Sequence, residues 1–182
     1  MRKIALSLVV AAAGTVASVA YAGPANNGGV LTINGQLTAN SCDVNGNGQG
    51  NNFTVTLPSL SASELSAAGA TAGSTGFSIA LSNCTPNTGK VHTFWEYGSN
   101  TLSDGNLLNN GTATNVEVQL VDYNSGRKVI DVSKADDAQN SQTVNIASGT
   151  ANLQYAAQYI SPAGGATAGT VTTNVTYSMA YQ

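Results

Sequence analysis

This 182-residue chain has little charge: Asp, Glu, Lys and Arg together make up only 8% of it. Six basic residues against nine acidic ones leave a net of −3, and Lys and Arg meet only in the pairs Arg2-Lys3 and Arg127-Lys128. That argues against nucleic acid as a partner, because phosphate recognition wants clustered positive charge. Histidine occurs once, at His92, and cysteine twice, at Cys42 and Cys84. A metal centre would need further soft or imidazole ligands, so none is expected. Hydrolytic chemistry is equally short of parts. No serine or cysteine nucleophile is recognisable around His92, and nothing pairs the carboxylates for an acid–base mechanism. His92 reads as a half-exposed strand residue, Asp136-Asp137 as a solvated turn, and Trp95 and Tyr97 as core or edge residues rather than a sugar platform. The expectation is a protein that is not an enzyme and carries no cofactor.

Long apolar runs are also missing, except at the start. Arg2 and Lys3 precede an apolar stretch from Ile4 to about Ala20, and Ala20-Tyr21-Ala22 fits the small-x-small pattern of signal cleavage. The run is Ala-rich and about 17 residues long, against the roughly 20 that a membrane span requires. Residues 1–22 are therefore expected to be a signal peptide, with no cysteine nearby for a lipid anchor. The remaining 160 residues suffice for one domain and carry a net of −5 once Arg2 and Lys3 are gone. Apolar residues at 42% argue for a folded chain rather than a disordered one. Export to an oxidising compartment favours a Cys42–Cys84 disulfide, worth roughly 3–4 kcal/mol by loop entropy.

What is present is strand signal. Val30–Ala39 alternates, with Leu31, Ile33, Gly35 and Leu37 on one face. Phe53–Leu57 and Phe77–Leu81 alternate as well, stopping near Pro58 and Pro86. Val91–Tyr97 is aromatic and β-prone. Val116–Leu120, Lys128–Val132, Thr143–Ile146 and Leu153–Tyr159 follow. The one helix expected is Ser61–Ala70, opened by a Ser61/Glu64 capping pair. Gly-rich loops at 45–50, 69–76 and 161–169 separate the runs. Short strands at this spacing indicate a single β-sandwich.

The end of the chain is the most informative stretch. From Val171 the odd positions read Val, Thr, Val, Tyr, Met, Tyr and the even ones are mostly Thr, Asn and Ser. That is a long strand with one buried face, running to a terminus where fraying is the rule unless something holds it. Such a strand either seals its own sheet or is offered to another protein.

The whole pattern resembles the pilins of chaperone–usher fimbriae, in particular type 1-like major subunits. The residues that carry the resemblance are Asn27-Gly28-Gly29 and Gly35 ahead of Cys42, then Phe77-x-Ile79-x-Leu81-x-x-Cys84 and Val116-x-Val118-x-Leu120-x-Asp122. Leu153-x-Tyr155-x-Ala157-x-Tyr159, Ala168-Gly169 and a terminal Tyr181-Gln182 complete it. A glycine fourteenth from the end and a penultimate tyrosine mark the chaperone-recognised strand in that family, and Gly169 and Tyr181 stand there. The departures are the Gly/Asn-rich stretch 45–52 and the aromatic stretch 91–97.

The resemblance implies an all-β fold, an incomplete immunoglobulin-like sandwich completed by a donor strand from another subunit. It implies an N-terminal extension over residues 23–38, with Leu31, Ile33 and Leu37 as inserted side chains and Gly35 where the groove is shallow. The pilin domain would be 39–182, with a groove strand carrying Gly169, Val171, Val175, Tyr177, Met179 and Tyr181. Partners would be neighbouring pilin subunits, a periplasmic chaperone and an outer-membrane usher. The destination would be a fimbrium on the bacterial surface, reached through the periplasm. The competing reading is a secreted monomeric β-sandwich that binds glycans or surfaces, with Gly35 an ordinary bulge and the last strand closing its own core.

Overall fold

The structure is a computed structural model that describes residues 31–35, 41–124 and 126–182. The chain divides into two units, residues 1–37 and 38–182. In the first, only 31–35 is described: it forms no strand and its side chains are exposed. The expected signal peptide and Leu37 lie outside the described residues.

The second unit is built of strands because its apolar residues alternate and are largely β-branched or aromatic. They are β1 (Ser41–Gly46), β2 (Ala70–Thr85), β3 (Gly89–Trp95), β4 (Leu107–Leu108), β5 (Glu117–Asp122), β6 (Lys128–Val129), β7 (Val144–Ile146), β8 (Ala151–Ser161) and β9 (Tyr177–Tyr181). All pairings between them are antiparallel. One sheet runs β1-β2-β8-β5-β4, with β6 also on β5, and the other runs β7-β3-β9. Ile79, Leu81, Val118, Leu120, Leu153 and Tyr155 from the first sheet meet Val91 and Trp95 from the second, all buried. Trp95 stands edge-on to both Phe77 and Tyr155, with centroids 6.3 and 5.2 Å away. The Tyr155 hydroxyl donates across the sandwich to Thr93 Oγ1 at 2.9 Å, so its polar tip is satisfied in the core. Cys42 and Cys84 are disulfide-bonded, fastening β1 to β2.

Four local expectations change. Residues 69–76 are mostly strand, not loop: Ala70–Ala72 pair with Tyr159–Ser161 before a bulge between Ala72 and Thr75. Gly73 sits in that bulge with φ +67°, a conformation that costs other residues strain. The Ser61–Ala70 helix contracts to a single 3₁₀ turn, Ala62–Leu65, capped by the Ser61 hydroxyl accepting from Ser63 N–H. His92 is buried rather than half-exposed, at 5% accessibility, with Nε2 2.9 Å from Asp136 Oδ1. Lys128–Val132 keeps only a two-residue strand, β6.

Candidate functional site

Two extended segments flank the core without a strand between them. Residues 53–57 turn Phe53, Val55 and Leu57 inward and Thr54 and Thr56 outward. Residues 171–179 turn Val171, Thr173, Val175, Tyr177 and Met179 inward and their even neighbours outward. The inward side chains pack against the core yet stay only half-buried. Between the segments lies a cleft of about 860 Å³, floored by Phe77, Trp95, Val118, Leu120 and Ala157. None of its lining residues is Asp, Glu, Lys, Arg or His.

Hydrogen bonds show which edges are taken. The carbonyls of Thr170, Thr172 and Thr176 accept from Ala113, Asn110 and Glu96, and Gln182 exchanges both backbone bonds with Lys90. The Thr172 N–H donates to Asn109 Oδ1 at 2.9 Å. Every one of these bonds belongs to an even-numbered residue of the terminal segment. Because successive residues of an extended chain aim their N–H and C=O groups to opposite edges, those of Val171, Thr173 and Val175 face the cleft. The opposite wall repeats the arrangement. Both backbone groups of Thr54 are held by the Gln49 side-chain amide, at 3.2 and 3.0 Å, which leaves Phe53 and Val55 directed to the cleft. Two lining side chains also bring buried polar atoms with no partner, Trp95 Nε1 and Thr173 Oγ1.

One end of the cleft is bridged. The Tyr177 hydroxyl donates to the Asn51 carbonyl at 2.6 Å, and its ring meets Phe53 edge-on at 5.7 Å. Burial pushes the Tyr177 phenol up, so it keeps this proton through the neutral range.

The cleft thus gathers four of the terminal residues singled out in the sequence: Val171, Val175, Tyr177 and Met179. Gly169 stands apart from it: a side-chain carbon there would collide with the backbone of Thr112 and Ala113. Tyr181 lines a separate small pocket with Cys42, Cys84 and Ile146. Burial raises its phenol, with a backbone hydrogen bond at Cys42 opposing. Leu31 and Ile33 are each 82% exposed, and a side-chain carbon on Gly35 would meet nothing within 4 Å. Sequence reasoning took Phe53, Val55 and Leu57 for an ordinary strand and missed that they form the second wall. Trp95 is core, whereas Tyr97 is 70% exposed, so the two do not form a stacking platform.

An antiparallel sandwich whose last strand borders an unfilled apolar slot defines the class of pilus subunits. The comparisons with known proteins give the family. The family model described as FimA, type-1 fimbrial protein A, matches residues 57–182. The F17 fimbrial protein of Escherichia coli is 39% identical over the full length of both chains. The major fimbrial subunit SMF-1 of Stenotrophomonas maltophilia (strain K279a) is 40% identical, over 84% of this chain and 92% of that protein. Among solved structures, a chaperone–usher pilus has a TM-score of 0.57 at 19% identity, covering 86% of this chain and 97% of that one. The P pilus rod subunit PapA has a TM-score of 0.52 at 16% identity, covering 78% and 99%. The chain belongs to the type-1 fimbrial protein family. It is a structural subunit of a cell-surface fimbrium and polymerises with other pilin subunits.

Proposed function

We propose that this subunit polymerises by donor-strand exchange: the cleft of one copy takes residues 23–38 of the next. The observation that carries this reading is the pair of inward-alternating, half-buried walls whose backbone groups face an apolar slot. An extended strand is the ligand that such a slot fits, since it offers a main-chain ladder and alternate side chains at once. Lengths agree. Val171 to Met179 spans about 26 Å at ~3.3 Å per residue, and Leu31 to Leu37 needs about 20 Å. Leu31, Ile33 and Leu37 enter the slot, each worth roughly 1.5–3 kcal/mol when fully buried. Gly35 sits where the floor is high. A donor backbone also brings acceptors and donors near Trp95 Nε1 and Thr173 Oγ1.

Before assembly, an empty slot exposes apolar side chains and an unpaired edge, an aggregation hazard. A periplasmic chaperone holds a strand there, recognising the segment from Gly169 to Tyr181, and an outer-membrane usher replaces it with the next subunit. Residues 1–22 direct export and are removed, and residues 39–182 are the pilin domain. The role is structural and not catalytic.

The test is an SDS gel of mature protein co-expressed with its chaperone and usher, loaded with and without boiling. A ladder that collapses to one band on strong heating is expected, and Gly35→Val is expected to abolish it while leaving a folded monomer. A single monomer band in both lanes, from protein that folds unaided, means a closed sandwich. A normal ladder from the Gly35→Val protein removes Gly35 from the register.

A further inference from the structure

Asparagine is among the thermolabile side chains, and it is most so when glycine follows. The chemistry is intramolecular. The backbone nitrogen of the glycine loses its proton and attacks the asparagine Cγ, a C–N bond forms, and ammonia leaves. Water then opens the resulting five-membered imide at either carbonyl, giving aspartate or isoaspartate. The step needs a glycine nitrogen that is not engaged elsewhere and a backbone able to bend to the ring geometry, which glycine permits.

Four Asn-Gly pairs fall within the described residues, and the fold treats them differently. At Asn45-Gly46 the attacking nitrogen donates to the Gly50 carbonyl at 2.6 Å, and Asn45 Oδ1 accepts from Gly50 N–H at 2.9 Å. At Asn110-Gly111 the nitrogen donates to Asn109 Oδ1 at 2.7 Å, while Asn110 Nδ2 donates to Asn100 Oδ1 at 3.0 Å. Asn47-Gly48 is exposed but lies in a tight turn, held by Asn47 N–H to Ser78 at 2.7 Å and Gln49 N–H to Gly46 at 2.9 Å. Asn34-Gly35 differs from all three. It lies outside any strand, Asn34 is exposed, its neighbour Ile33 is 82% exposed, and the space around Gly35 is open.

We propose that Asn34 is a self-modification site of the unassembled subunit, converted to aspartate or isoaspartate through attack by Gly35, and shielded once the segment enters a neighbour's cleft. The consequence for assembly rests on the donor-strand reading above. Isoaspartate adds a methylene to the backbone between Ile33 and Leu37. A strand keeps its register only while the backbone repeat is regular, so the extra atom misplaces Leu37 relative to Ile33. Subunits left unassembled for long would thus lose the ability to donate a strand.

The experiment incubates purified monomer and assembled fimbriae at mildly alkaline pH and 37 °C. Amide-to-acid conversion at each Asn-Gly pair is followed by peptide mass spectrometry with isoaspartate detection. In the monomer, Asn34 is expected to convert several-fold faster than Asn47, with Asn45 and Asn110 slowest. In fibres Asn34 is expected to be protected. The Asn34→Gln protein, aged as a monomer, should keep its assembly yield while the aged parent loses it. Conversion of Asn34 no faster than that of Asn45 or Asn110 in the monomer overturns the site. Equal rates at Asn34 in monomer and fibre overturn the shielding and the donor-strand reading with it, while the modification site stands.

Discussion

Leu153 and Val175 are both inward-facing aliphatics on extended segments, yet one is fully buried and the other only half so. Leu153 lies on β8, between β2 and β5, with the second sheet across the core. Val175 lies on a segment bonded along one edge only. The difference is in partners and not in sequence pattern: alternation prepares a face for burial, and a second neighbouring strand completes it. The subunit has a finished half and an unfinished half, and on the donor-strand proposal the unfinished half is where polymer stability comes from.

Substitutions can separate the halves. Leu153→Ala should cost about 2–5 kcal/mol of monomer stability by leaving a cavity in a packed core, measured as a lower denaturant midpoint. The same loss should carry into the fibre. Val175→Ala should cost the monomer much less, because its side chain is only half out of water, but should lower the temperature at which SDS-resistant ladders collapse. If Val175→Ala destabilises the monomer as much as Leu153→Ala, the halves are not distinct and the sandwich is closed.

A smaller effect is expected at the bridge between the walls. Tyr177→Phe keeps the ring against Phe53 and Trp95 but removes the bond to the Asn51 carbonyl. A typical hydrogen bond contributes about 0.5–1.5 kcal/mol net, and the lower end suits one exposed to solvent. A shift of that size in the monomer's denaturant midpoint, with ladders of parental heat resistance, would make the bridge a feature of the empty cleft. A larger loss in the ladder would place it in the filled one.

The finished half was the more legible in the sequence. Phe77-x-Ile79-x-Leu81 and Leu153-x-Tyr155-x-Ala157 pair as antiparallel neighbours because their small and large side chains alternate in step. The terminal wall was legible too, from Val171 to Met179. The other wall was not: Phe53-x-Val55-x-Leu57 looks like any strand, and only tertiary structure shows that its edge faces a cleft. The helix expected at Ser61–Ala70 stops after one turn because Gly69 takes φ +74° and Ala70 joins the sheet with Ser161. Residues 92 and 136 could not be joined from sequence, since their pairing spans 44 positions and depends on how the 133–140 stretch passes β3.

The least of the expected effects uses protons. The cleft lining holds only Tyr159 and Tyr177 as titratable side chains, and burial pushes both phenols up. Assembly should therefore be insensitive to pH from about 5 to about 9, because neither phenol ionises there. The finished half has a group that does respond. Glu117, on β5, has its carboxyl raised above the usual range, mainly by desolvation, with Asp104 adding to this and the hydrogen bond from Asn106 working against it. A folded pKa above the unfolded one favours the protonated native state, so this contribution is complete at acid pH and is lost as pH rises through the raised value. Glu117→Gln keeps an oxygen for Asn106 and removes the titration. Its monomer midpoint should lose a shallow slope on the alkaline side of the ordinary carboxylate range, while ladder heat resistance stays flat in both proteins. A pH slope that appears instead in the ladder would place a titrating group at the joint between subunits and break the division between the two halves.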